Sequence, residues 1–236
     1  MMRESIMYWV DKLDESLTRS VGSKAKKNIM RGSEVARSDE NSLDKAKWIC
    51  CAMEKLDKVA AQKDRVEIMA GCSHKFPKRK INAMKKALAE SGDLESLMKI
   101  MHKDSSWFGL SFYEYPEKKG NVIYVTKIPF DPKGFKKAKN KTEKRYHYCH
   151  CALVKELIRN PTEKISQTFC YCGAGWYKSL WEGILEKPVR VDLLESVLQG
   201  DDSCKFAIHL PPARNSRRRS GKKTASKSSR RSRKPS

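Results

Sequence analysis

The sequence predicts an α+β fold, in which a helical N-terminal region precedes a mixed α/β domain that ends in an antiparallel hairpin. Apolar residues recur at helical spacing through about the first hundred residues. The period then changes to two, at 108–112 and 123–125 on either side of a turn, and again at 189–198 and 203–210. Because Gln199-Gly200-Asp201-Asp202 is typical of a turn, the last two runs should pair as a hairpin.

The helical region is predicted to hold five helices within residues 1–104. Their apolar residues fall in the segments 6–17, 49–60, 65–70, 81–88 and 94–101. Between the first two helices, residues 20–42 are rich in Ser, Gly, Lys and Asn. We therefore expect a flexible linker there.

The α/β domain is assigned to residues 105–212. Its basic segment 127–145 is expected to be a solvated loop, and from Tyr146 the expected order is strand, helix, strand, helix, strand, strand. The first of these helices should cover 152–158, because Asn160-Pro161 disfavours its continuation. Gly173-Ala174-Gly175 is expected to open the second.

Charge is concentrated at the C-terminus. The chain has 50 Lys plus Arg against 28 Asp plus Glu, a net charge of +22, and 11 of the basic residues lie in Pro211–Ser236 without any acid. Residues 213–236 are therefore expected to form a disordered tail that attracts nucleic acid weakly and without sequence preference. The alternative is a merely solubilising extension. The candidate contacts are Arg217, Arg218, Arg219, Arg230 and Arg231.

The sequence has neither a membrane-spanning run of about 18 apolar residues nor the apolar stretch and cleavage site of a secretory signal. We therefore expect a cytoplasmic protein whose eight cysteines stay reduced. Spaced cysteines in a reducing compartment are typical of metal ligands or catalytic thiols. The oligomeric state is left open, with a homodimer as one alternative.

The cysteines of the α/β domain form two Cys-x-Cys motifs and one later residue. The motifs are Cys149-His150-Cys151 and Cys170-Tyr171-Cys172, and Cys204 follows. If each motif lies on a strand, its two thiols point to the same side and can share one ion. Zinc binds three or four such sulfur or nitrogen donors. We predict a zinc site, with an iron–sulfur cluster as the alternative.

Glu195 is the remaining candidate ligand. It falls on the apolar face of the 189–198 strand, where an unpaired carboxylate is costly. A hairpin with a four-residue loop would place Cys204 opposite Val197 and diagonal to Glu195. The alternative is that the cysteines are small core residues, which is our interpretation of Cys50 and Cys51.

Two functions compete for this domain. The first is a metal-stiffened module that binds a small apolar or aromatic ligand between Trp176, Trp181, Phe108 and Phe112. The second is a thiol-dependent enzyme that performs hydrolysis or redox chemistry. Its nucleophile would be Cys172, at a helix N-terminus that lowers a thiol pKa, or Cys170. His147 or His150 would be the base.

The sequence also resembles known families. The run Phe169-Cys170-Tyr171-Cys172-Gly173, with Pro188 to Val191 and Gly200 to Phe206, is similar to an uncharacterised prokaryotic family of domains of unknown function.

The Gly-led helix and the final hairpin with Gly200-Asp201-x-x-Cys204-x-Phe206 further resemble the 4-vinyl-reductase domain. That resemblance implies an α/β fold with a ligand pocket beside a zinc held by cysteines and a glutamate. Cys172 and Cys204 match two ligand positions and Glu195 matches the glutamate approximately, whereas Ser196 stands where a further cysteine is expected.

Overall fold

The computed structural model describes residues 2–38, 41–103, 115–160 and 162–212, with side chains from residue 6 onward. These residues form ten α-helices, two 3-10 helices and four strands. The α-helices are α1 Met2–Ser20, α2 Gly22–Met30, α3 Glu34–Arg37, α4 Ser42–Val59, α5 Gln62–Gly71, α6 Lys78–Ser91, α7 Leu94–Lys103, α8 Pro132–Lys137, α9 Lys141–Tyr148 and α10 Tyr171–Leu185. The 3-10 helices are Lys155–Arg159 and Gln167–Cys170, and the strands are β1 Glu117–Lys119, β2 Val122–Thr126, β3 Arg190–Glu195 and β4 Lys205–His209.

The four strands form one antiparallel sheet in the order β1-β2-β4-β3. Ile208 of β4 pairs with Ile123 of β2 on one side and with Val191 of β3 on the other. All three side chains are buried, so the central strand carries the apolar face of the sheet. The α+β fold and the C-terminal hairpin are thereby confirmed.

The predicted linker at 20–42 is wrong for the part that the structure describes, because α2 and α3 lie within it. Ile29 and Ala36 are fully buried against the neighbouring helices. Burial of these two apolar side chains therefore stabilises helices in a segment whose polar composition predicts a loop. Asn41 then caps α4 by accepting hydrogen bonds from the N–H groups of Leu43 and Asp44.

The predicted loop at 127–145 is also wrong, because it contains α8 and most of α9. Asp131 caps α8 and Asn140 caps α9 through their side-chain oxygens. The sequence signals were present in Asp131-Pro132 and in Asn140, since these residue types favour helix starts. The strand expected from Tyr146 is absent here, because α9 runs to Tyr148. The helix expected at 152–158 is a turn followed by the first 3-10 helix.

Two main hydrophobic cores hold these elements together. The first contains side chains from all five helices α1 through α5, together with Val154 and Phe169. The second contains side chains from α6, α7, α10 and the sheet. Helix α10 contacts α5 on one side and the sheet on the other. The first core therefore crosses the predicted boundary near residue 104. The strand expected at 108–112 lies outside the described residues, but the turn expected between it and 123–125 is wrong, because Glu117–Lys119 forms β1 and pairs with β2.

Candidate functional site

A cavity of about 360 Å³ opens between α10, β3 and the segments that precede β4 and follow α9. Its wall is mostly apolar and aromatic. Five cysteines line it, and they come from three separate parts of the chain: Cys149, Cys151, Cys170, Cys172 and Cys204. The remaining three cysteines do not line it. Cys50 and Cys72 are buried in the first core, while Cys51 is exposed, which contradicts its assignment to the core.

The first Cys-x-Cys motif follows the end of α9 rather than lying on a strand. Cys149 caps the helix, with its N–H bonded to the carbonyl of Arg145, and the N–H of Cys151 donates to the Cys149 sulfur at 3.4 Å. The guanidinium of Arg145 donates to the carbonyl of Val197 at 2.9 Å. This bond ties the motif to the segment that follows β3.

The second motif, unlike the first, is helical. Cys170 ends the 3-10 helix that Ser166 caps, and Cys172 lies in the first turn of α10. The Cys170 sulfur is 3.1 Å from the hydroxyl of Ser196. Cys172 faces the indole N–H of Trp9, which has no other hydrogen-bond partner among the described residues. The expectation that both motifs lie on strands is therefore wrong, although their thiols share one cavity.

Cys204 lies just before β4. Its carbonyl accepts the N–H of Lys127 at 2.9 Å, which extends the pairing of β2 with β4. The backbone N–H of Val197 donates a hydrogen bond to the Cys204 thiol and lowers its pKa, against the larger effect of burial. Glu195 does not line the cavity. A β-bulge between Leu193 and Glu195 breaks the alternation on which its predicted position depends, and its carboxylate accepts the hydroxyl of Ser203.

Burial has the largest effect on the pKa values of the five thiols, and it raises all of them. It raises the pKa of Cys149 and of Cys170 to about 12 and that of Cys172 to about 11. The pKa values of Cys151 and Cys204 are raised for the same reason. All five side chains are therefore neutral thiols at neutral pH unless a cation enters the cavity.

Two histidines lie on the cavity wall. His150 Nε2 donates to the carbonyl of Ile128 at 2.7 Å, so Nδ1 is the unprotonated nitrogen. Burial, assisted by the charge of Lys127, lowers the pKa of His150 to about 4. His74 comes from the segment after α5 and stacks on Tyr8 with a centroid distance of 5.4 Å. Cys72 and His74 are separated by one residue, a spacing that could have indicated a ligand pair. The predicted zinc ligands did not include either residue.

The other predicted site residues are dispersed. Trp176 lines the cavity, whereas Trp181 is buried in the second core. His147 pairs with Asp131 at 2.9 Å on the outer side of α9 and is not part of the wall. The remaining predicted residues, which are Phe108, Phe112, Arg217, Arg218, Arg219, Arg230 and Arg231, lie outside the described residues.

The wall supplies sulfur and imidazole donors, which are the ligands that a soft ion prefers. Among the described residues, however, no three His, Cys, Asp or Glu side chains stand close enough together to hold one ion as they are placed. Metal binding would therefore require rotation of the cysteine side chains toward a common point. No described helix has the length and apolar content of a membrane span.

Comparison with curated proteins and with solved structures gives no significant match. The 4-vinyl-reductase resemblance therefore stays a prediction. One family model does match, over residues 131–214, a range that holds all five cysteines of the cavity. Over that range the chain is similar to the Family of unknown function (DUF6144).

Proposed function

We propose that this protein binds a small apolar or aromatic molecule in a cavity whose cysteines hold a metal ion, and that the ion is zinc. One observation carries the proposal: three separate segments of the chain bring five thiols to the wall of the same cavity. Cysteine can also be a small core residue, but five thiols on one cavity wall supply the sulfur donors that zinc binds. The same donors suit an iron–sulfur cluster, which remains the alternative cofactor.

The raised pKa values of the thiols can be reconciled with a cation in the cavity. Cysteine binds a metal as thiolate, so binding releases protons that burial otherwise holds in place. Two neutral thiols with pKa values raised to about 12, Cys149 and Cys170, would be costly to ionise alone. A divalent ion offsets that cost. His150, kept neutral by its surroundings, adds a nitrogen donor of the right protonation state.

The size and lining of the cavity support a small-molecule ligand. Its volume of about 360 Å³ exceeds what one ion needs and falls within the range of ligand pockets. Aromatic side chains line it, among them Phe169, Trp176 and Phe206. Phe130 lines it as well and is 50% exposed. Such surfaces favour flat apolar ligands.

Metal analysis of protein purified without a polyhistidine tag tests the metal half of the proposal. We expect close to one equivalent of zinc per chain. Cys172→Ser and Cys204→Ser should each lower the metal content and the melting temperature, because the bound ion stabilises only the folded state. Cys50→Ser is the matched control: Cys50 is buried but does not line the cavity, so its replacement should leave the metal content unchanged. Full metal occupancy in both cavity variants, or none in the wild type after anaerobic purification, would refute the site.

The thiol-dependent enzyme is the competing function. Cys172 lies in the first turn of α10, where the helix dipole favours a thiolate. Burial nevertheless raises its pKa to about 11, which works against a nucleophile at neutral pH. Alkylation separates the two functions. A catalytic thiol reacts rapidly in the protein as purified, whereas a metal ligand reacts only after chelation.

A further inference from the structure

Lys127 is the one formally charged side chain among the described residues that line the cavity, and no acid lines it. It follows β2, and its backbone is held on both sides. Its N–H donates to the carbonyl of Cys204 at 2.9 Å, and its own carbonyl accepts the hydroxyl of Tyr148. The side chain therefore leaves a fixed point on the cavity wall.

The Lys127 ammonium lies close to the cysteine group as a whole. Its positive charge lowers the pKa of each of the five thiols, against the larger effect of burial, and it also contributes to the lowered pKa of His150. It stands 5.7 Å from the centre of the Phe206 ring. The side chain of Lys127 therefore lines the same cavity as all five sulfurs.

This ammonium has no counter-charge in the described part of the chain. No carboxylate of those residues lies within ion-pair distance of Lys127, whereas Lys26 and Lys178 each have a carboxylate partner. The thiols around it are neutral as long as no metal ion binds them, so without metal they supply no counter-charge either. An ammonium beside an apolar wall, with one aromatic ring as its nearest favourable partner, recovers only part of the hydration it loses. An occupant of the cavity that carries a negative charge would remove that cost.

We propose that the ligand of this cavity is an apolar or aromatic molecule with one anionic group, such as a carboxylate or sulfonate, and that Lys127 binds that group. The proposal deepens the proposed function: it rests on its small-molecule half and applies to the cavity without bound metal. Lys127 is a binding residue that selects anions, because an ammonium donates charge-assisted hydrogen bonds to oxygen anions and has no acceptor for a neutral donor. The aromatic wall holds the remainder of the molecule.

A pair of fluorescent probes tests the proposal. Anilinonaphthalene sulfonate is an aromatic anion, and N-phenylnaphthylamine has the same ring system without the sulfonate. We expect Lys127→Met to weaken binding of the anionic probe about tenfold, equivalent to ~1.4 kcal/mol, and to change binding of the neutral probe less than about twofold. Lys127→Arg should keep the preference of the wild type.

Lys136→Met is the matched control, because it removes the same charge from an exposed lysine of α8 that does not line the cavity. It should leave both affinities unchanged, which separates a specific contact from general attraction to a basic protein. If Lys127→Met and Lys136→Met bound the anionic probe equally well, the proposal would be overturned.

Competition on the wild type gives a measurement that does not depend on any variant folding. Benzoate should displace the neutral probe at about one tenth of the concentration that benzamide requires, and equal displacement would overturn the proposal. The two levels of inference fail in different ways. If the neutral probe did not bind at all, the small-molecule function itself would be wrong. If it bound but benzoate had no advantage, only the role of Lys127 would be wrong.

Discussion

Replacement of Gly175 by alanine tests the helix crossing that carries one side of the cavity. Gly175 lies on α10 where that helix meets α5. A β-carbon at this position would stand 2.4 Å from the Cα of Ala70 and 2.7 Å from its carbonyl oxygen. Both contacts are with backbone, so no side-chain rotation relieves them, and the two helices must separate.

Gly183 of the same helix provides the matched control. A β-carbon there would stand 2.8 Å from Cδ1 and 2.9 Å from Cγ2 of Ile81, so both contacts are with a side chain rather than with backbone. Alanine stabilises a helix relative to glycine by about 1 kcal/mol in either position. Overpacking against a rigid neighbour costs about 1–3 kcal/mol. The difference between the two variants therefore isolates the cost of the backbone contact.

We expect Gly175→Ala to be about 2 kcal/mol less stable than Gly183→Ala, which corresponds to roughly 4–8 °C in melting temperature for a chain of this length. Thermal unfolding followed by circular dichroism at a helical wavelength measures the difference. Gly183→Ala should stay within about 1 kcal/mol of the wild type. Equal stability of the two variants would show that α5 and α10 do not cross as closely as described.

Two further predictions concern groups outside the cavity. Burial raises the pKa of Asp57, but hydrogen bonds, including those from Thr168 and Arg65, outweigh it and leave the pKa below its usual value. The ionised group therefore stabilises the fold above its unfolded pKa of about 3.9, and this contribution disappears as the pH falls through the lower folded value. Asp57→Asn should thus be less stable than the wild type near neutral pH, with a gap that narrows in acid; a gap independent of pH in urea unfolding would contradict this. Because Cys51 is exposed while the other seven cysteines are partly or fully buried, a chromogenic disulfide reagent should titrate one thiol quickly in the native protein, and Cys51→Ser should abolish that fast phase.

The first helical segment and the last hairpin were predictable because short-range patterns decide them. Ile6, Trp9 and Leu13 recur at helical spacing, and all three are buried on one face of α1. The final two strands were equally readable from alternation. The turn lies at 197–200 rather than 199–202, so the predicted pairing of Cys204 with Val197 is wrong. In these segments the spacing of the apolar residues indicates which face is buried, and a helix or strand is the backbone conformation that places them all on that face.

The structure around the cysteines was not predictable in the same way. Alternation in Cys149-His150-Cys151 suggested a strand, but the cap at Asn140 starts a helix that runs up to the motif. Glu195 was misplaced because a β-bulge shifts the register by one residue, which no pattern in this sequence announced. Helix caps and bulges act through single hydrogen bonds, and these override the preference that a short run of residues expresses.

The sequence by itself therefore determined the α+β class, the main helices and the clustering of cysteines in the second half of the chain. Only the tertiary structure decided that five of the thiols line one cavity, that His74 from the helical region joins them, and that Lys127 supplies the charge among them. The physical reason is the distance along the chain. Lys127 meets Cys204 because β2 pairs with β4 across about eighty residues, and contacts of that range depend on how the whole core packs rather than on any local period.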